Sequence, residues 1–177
     1  MAWLLVGARG CGKTTWVAKM LIAKNEARKS RGLPPRELIY FNPSRQTLSP
    51  DLGVTQEAFT AQELYILLFN AKNCTVVIDD MQVAFPTDNK KMRELMVELL
   101  TLCRHRGMDI ILVAHSFMLL PSRFASIFFN RILLFRNGDT WMRISRHWGS
   151  VVTKEELEVS HSPEMAQPGN YIAITVT

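Results

Sequence analysis

Gly7-Ala8-Arg9-Gly10-Cys11-Gly12-Lys13-Thr14 is a run of three spaced glycines followed by a lysine and a hydroxyl. It fits the pattern G-x-x-x-x-G-K-[ST]. A triphosphate is held by several backbone N–H groups aimed inward, and a loop that tight needs residues without a side-chain penalty. A helix opening at Lys13 adds the positive end of its dipole. Lys13 is expected to reach the β- and γ-phosphates, and Thr14 to hold Mg²⁺ through its hydroxyl. With Thr15 beside them, residues 7–15 form the expected ATP-binding loop.

The partner of such a loop is a carboxylate at a strand end. Thr75-Val76-Val77-Ile78 runs into Asp79-Asp80. Asp79 is expected to hold the magnesium, directly or through water, and Asp80 to orient or deprotonate the attacking water. An Asp-Asp pair at a strand end also suits a turn or a helix cap. His115 ends another apolar run, where a polar residue can sense the γ-phosphate or simply complete local hydrogen bonds.

These residues need elements to place them. Ala2–Val6 reads as a buried strand ending at Gly7, and Thr14–Ser30 as a helix stopped by Gly32, Pro34 and Pro35. Glu37–Phe41 is a second strand, followed by a polar loop from Asn42 to Phe59. Thr60-Ala61-Gln62-Glu63 has the form of a capping box. Asp88 is placed to cap a helix whose Met92, Leu95, Met96, Leu99, Leu102 and Cys103 form one apolar stripe. Ile110–Ala114 and Ile132–Phe135 are further strands. Asn137-Gly138 reads as a tight hairpin turn into a strand over Trp141–Ile144, and Tyr171–Val176 as a last strand.

Strands alternating with helices predict an α/β fold with a mostly parallel central sheet in three layers. The expected organisation is one domain over residues 1–177. Its core is 1–136, and a C-terminal hairpin, short helix and strand occupy 137–177.

The net charge of +5 and pI near 9.3 permit a nucleic-acid partner without requiring one. Cys11, Cys74 and Cys103 show neither C-x-x-C nor zinc spacing, which fits reduced thiols. The start lacks a basic leader, and the long apolar stretches are broken by Asp79, His115 or Arg131. The expectation is a soluble chain without a transmembrane segment.

Together with the two phosphate-site motifs, the segment from Arg104-His105-Arg106-Gly107 through Ile110–His115, and on to Phe124–Phe135, resembles the FtsK–HerA superfamily of P-loop ATPases. The small size is similar to that of genome-packaging ATPases of tailless, membrane-containing viruses. His115 stands where that superfamily has Gln, and Asp80 where it usually has Glu.

The resemblance implies an additional-strand, RecA/FtsK-like P-loop NTPase that assembles as a homo-oligomeric ring and pumps double-stranded DNA. It also implies docking on a capsid or membrane vertex protein, and a location in the virion or the host cytoplasm. An arginine from the neighbouring subunit would meet the γ-phosphate, with Arg131 the first choice and Arg104, Arg106 and Arg123 its rivals. Lys90 and Lys91, at a helix start where cations oppose the dipole, are candidates for phosphate-backbone contact. Two other readings stand beside this one: a small nucleotide kinase, and a morphogenesis ATPase of the filamentous-phage type.

Overall fold

The computed structural model describes residues 1–85, 90–103, 105–120 and 129–176, apart from the side chains of 92, 93, 96, 99 and 100. The expected cap at Asp88, the arginines at 104 and 123, and Met92, Met96 and Leu99 of the apolar stripe lie outside the described residues.

Among the described residues seven strands form one sheet in the order β3-β2-β4-β5-β1-β6-β7. They are β1 (Ala2–Val6), β2 (Leu38–Phe41), β3 (Gln56–Ala58), β4 (Thr75–Ile78), β5 (Asp109–Ala114), β6 (Arg131–Phe135) and β7 (Tyr171–Thr175). The first six pair in parallel, and β7 runs antiparallel to β6 with Phe135 opposite Tyr171 and Arg131 opposite Thr175. β5 lies between β1 and β4, which is the additional-strand arrangement. In an open parallel sheet, ligands bind outside the carboxyl ends of the strands. Val6, Ile78, Ala114 and Phe135 all end there.

The α-helices among the described residues are α1 (Lys13–Ser30), α2 (Ala61–Asn70), α3 (Met81–Ala84), α4 (Lys90–Cys103), α5 (Trp141–Trp148) and α6 (Lys154–Ser160). Alternation along β1 separates two cores. Leu4 and Val6 pack with Leu64, Leu68, Ile144 and Trp148 on one face. Leu5 packs with Val17 and Leu21 of α1 on the other. Strands buried on both faces read as unbroken apolar runs because no face meets water. The capping box at Thr60 and Glu63 is formed in both directions.

Three expectations are corrected. Residues 141–144 do not form a hairpin strand. Asn137 Oδ1 accepts the Asp139 N–H, and the chain turns into α5, burying Ile144 and Trp148 at helical spacing. An Asx turn here replaces the hairpin turn, and β6 takes β7 as its antiparallel neighbour instead. The segment from Asn42 to Phe59 is more than a loop: it holds a one-turn 3₁₀ helix (Pro50–Leu52) and the edge strand β3, anchored by buried Leu52 and Ala58. Leu102, counted in the apolar stripe, is exposed, whereas Cys103 is buried.

Candidate nucleotide site

The loop after β1 is tied to its neighbours by backbone bonds. The Gly7 N–H donates to Ala114 O at 3.1 Å, and the Ala8 N–H to Arg136 O at 2.7 Å. A side chain at Gly7 would put its Cβ 2.6 Å from Phe135 Cβ, so the loop can sit this close to β6 only with glycine. Gly12 adopts φ 93°, and a Cβ there would lie 2.7 Å from Gly169 N. The Gly169 N–H donates to Cys11 O at 2.9 Å. The segment before β7 therefore closes over the outside of the loop, and α1 starts from Gly12 beneath it.

Lys13 is buried, and its ammonium donates to Gly7 O at 2.6 Å and Ala8 O at 2.8 Å. Cys11 Sγ lies 3.6 Å from the same nitrogen, and His115 Nδ1 lies 3.4 Å from it. Burial holds the Lys13 pKa below its usual value, opposed by Cys11, Asp79 and Asp80. Burial, and then the Lys13 charge, likewise hold His115 below its usual value, with Asp80 acting in the opposite sense. A neutral imidazole protonated on Nε2 accepts a hydrogen bond from the Lys13 ammonium through Nδ1; an imidazolium repels that ammonium.

Thr14 Oγ1 donates to Asp79 Oδ2 at 3.0 Å. Tyr40 OH donates to the same oxygen at 3.2 Å, and burial with the Asp79 charge raises the Tyr40 pKa. The hydroxyl heading α1 and the carboxylate tipping β4 thus meet across the site. Asp80 holds φ 66°, in the left-handed region that few non-glycine residues enter. It occupies the N-cap position of α3 yet makes no capping bond. Its buried Oδ1 has no hydrogen-bond partner among the described residues. Strain and an unpaired carboxylate oxygen at one residue do not fit a mere cap.

A cleft of about 470 Å³ opens over these groups, lined by Arg9, Gly10, Gly12, Lys13, Thr14 and Thr15 from the loop and by Asp79, Asp80 and His115 from the strand ends. Pro43, Ser44 and Gln46, after β2, complete it. The hard oxygens of Thr14 and Asp79, 3.0 Å apart on the cleft wall, suit Mg²⁺, which takes few protein ligands and fills its shell with phosphate and water. Among the described residues no cluster of three acidic, His or Cys side chains offers a metal cage of its own.

The remaining expected residues lie elsewhere. Arg131 is exposed at the start of β6, opposite Trp3, with its guanidinium 5.4 Å from the Trp3 ring centroid. Four residues of strand, or about 13 Å, separate that end of the sheet from Gly7. Arg106 donates to Leu68 O and Phe69 O in the last turn of α2, the helix-terminus role open to it. Lys90 pairs with Glu94 on an exposed helix face.

Sequence reasoning missed Tyr40, which its strand alternation marked only as core. It also missed Asp139, whose carboxylate accepts from Ser116 Oγ and from the Phe117 N–H at 2.8 Å and so fixes the chain just after His115. The Pro168–Gly169 contact carried no local signal, because it joins residues more than 150 positions apart.

The Zonular occludens toxin (Zot) family model matches residues 1–125. The chain belongs to the Zot family. That family consists of P-loop ATPases of phage morphogenesis, and the match covers the phosphate loop, the Asp79–Asp80 pair and His115. No curated protein sequence is significantly similar. Among solved structures, the fold is similar to B204, the DNA-packaging ATPase from Sulfolobus turreted icosahedral virus, at TM-score 0.64 and 13% identity over 99% of this chain and 96% of that one. The genome-packaging NTPase B204 of Sulfolobus turreted icosahedral virus 2, in complex with ATP-gammaS, gives TM-score 0.64 and 16% identity with the same coverage. The cytoplasmic domain of the Thermomonospora curvata type VII secretion ATPase EccC gives TM-score 0.51 and 16% identity, over 75% of this chain and 19% of that one. These likenesses establish a P-loop NTPase fold. Among the described residues no helix is long and apolar enough to cross a membrane.

Proposed function

We propose that the protein is a Mg²⁺-dependent ATPase motor that translocates double-stranded DNA during viral genome packaging, working as a homo-oligomeric ring. The observation that carries the ATPase reading is the Thr14–Asp79 hydrogen bond beside Lys13 in one cleft. The DNA reading draws support from the fold shared with B204, whose name describes a DNA-packaging ATPase; the ring reading rests on the resemblance to the FtsK–HerA superfamily.

Lys13 can exchange two carbonyl partners for phosphate oxygens, and the backbone N–H groups of residues 10–14 complete the cradle. Mg²⁺ held at Thr14 and Asp79 would neutralise charge between the β- and γ-phosphates. Asp80, with a free oxygen, orients water for attack. The water oxygen bonds to the γ-phosphorus, and the bond from phosphorus to the bridging oxygen breaks with its electron pair going to ADP. The released proton passes by way of the Asp80 carboxylate to solvent.

The Zot match favours a second reading of the same chemistry, a morphogenesis ATPase that drives particle assembly rather than filling a preformed shell. A kinase would need an acceptor. Phosphate release measured with and without duplex DNA, and with nucleoside monophosphates, separates the three. Stimulation by duplex DNA supports packaging, and turnover indifferent to DNA supports the morphogenesis reading. Phosphate transfer to a monophosphate overturns both.

A further inference from the structure

We propose that Arg9, inside the phosphate loop, is a catalytic residue that contacts the terminal phosphate within its own subunit. The inference rests on the ATPase reading above and names an arginine acting in cis, apart from the candidates for an arginine from the neighbouring subunit.

Arg9 sits between Ala8 and Gly10 on the exposed crest of the loop. Among the described residues it is the one arginine that lines the cleft, in company with Thr14, Asp79, Asp80 and His115. His115, which lines the same cleft, feels the Arg9 charge.

Three other described arginines that could compete for the role are engaged elsewhere. Arg131 lies over Trp3 at the far end of the sheet. Arg45, though its neighbours Ser44 and Gln46 line the cleft, lies over the Phe59 ring at 5.1 Å from its centroid. Arg106 is bonded to the end of α2.

The loop's geometry also favours Arg9. Ala8 is pinned through its N–H to Arg136 O, and its own carbonyl holds Lys13. Gly10 turns the chain with φ 76°. The residue between them has a fixed backbone, an unencumbered side chain, and a cation to aim. As the bond to the bridging oxygen breaks, negative charge moves onto that oxygen while the γ-oxygens stay charged. A guanidinium at the cleft mouth stabilises that redistribution more than it stabilises bound ATP.

The test compares wild type, Arg9→Ala and Arg9→Lys by equilibrium binding of a non-hydrolysable Mg–ATP analogue and of Mg–ADP with aluminium fluoride, which mimics the transferring phosphoryl group. Arg9→Ala is expected to bind the ATP analogue within about threefold of wild type, but to lose roughly a hundredfold or more in affinity for the mimic and in kcat. Arg9→Lys, with a point charge in place of a fork, should recover only part of the loss. An equimolar mixture with Lys13→Ala should show no more activity than its components. Equal loss for both ligands, no loss for either, or activity regained on mixing overturns the assignment. If wild type binds neither ligand, the ATPase reading itself fails. If wild type binds both and Arg9→Ala matches it, only the arginine assignment fails.

Discussion

The Lys13 ammonium lies 3.4 Å from His115 Nδ1, so the cation of the phosphate loop meets the imidazole at the tip of β5. The contact joins β1 to β5 at their carboxyl ends, and it works only while the imidazole is neutral.

A pH dependence follows. The folded-state pKa of His115 lies below its usual 6.5 because of burial and Lys13. The folded chain therefore takes up fewer protons than the unfolded one, and acid favours unfolding. The thermal midpoint without nucleotide should fall as pH drops below about 6.5, and His115→Gln should flatten that fall. An unchanged slope in the mutant would exclude this contact as its source.

Asp79 and Asp80 should separate by phenotype. Asp79→Asn removes a charge that Thr14 and Tyr40 both address, so Mg²⁺-dependent nucleotide binding should weaken. Asp80→Asn should bind nucleotide normally and lose about a hundredfold or more in turnover. Titration with a fluorescent ATP analogue at varied Mg²⁺, alongside kcat, distinguishes them. Wild-type rates in both mutants would show that β4 is not the metal strand.

Gly12→Ala should be costly twice over. The new Cβ meets Gly169 N at 2.7 Å, and φ 93° disfavours any L side chain. Urea unfolding should show a loss of about 1–3 kcal/mol, and nucleotide affinity should fall with it. Stability equal to wild type would mean that the Pro168–Gly169 segment does not close over the loop in solution.

Cys11 is half-buried within the loop, with its sulfur beside Lys13. A carboxamidomethyl group on it would occupy phosphate space, so alkylation should abolish turnover and Mg–ATP should slow the labelling. Cys74 and Cys103 are buried, which pushes their thiols up to about 11 and about 12, and they should label far more slowly. Mass spectrometry of labelled peptides gives the site. Equal labelling of Cys11 with and without nucleotide would count against its placement.

What the sequence made legible depended on how local the physics is. The phosphate loop, the helix it opens and the strand before Asp79 each declare themselves within about ten residues, through φ requirements and apolar runs. The α5 error was also local: Asn137-Gly138 is as good a hairpin turn as it is an Asx turn. The 3-and-4 spacing of Trp141, Ile144, Ser145 and Trp148 carried the deciding signal. β3 was hidden because a three-residue edge strand with one buried side chain, Ala58, has too short a period to detect. Tyr40 and Gly169 reach the site only through tertiary pairing. Arg131, proposed from motif position to reach a neighbouring subunit's nucleotide, opens β6 opposite Trp3, at the end of the sheet away from its own phosphate loop.

The central claim, that this loop binds Mg–ATP and hydrolyses it, is tested most directly by phosphate release from wild type and Lys13→Ala at saturating Mg–ATP. The thermal midpoint of each is read in the same buffer. The account predicts measurable turnover in wild type and none in a Lys13→Ala protein that still melts cooperatively, because Lys13 meets phosphate at the cleft floor rather than filling the apolar core. Turnover at the wild-type rate in folded Lys13→Ala would contradict it.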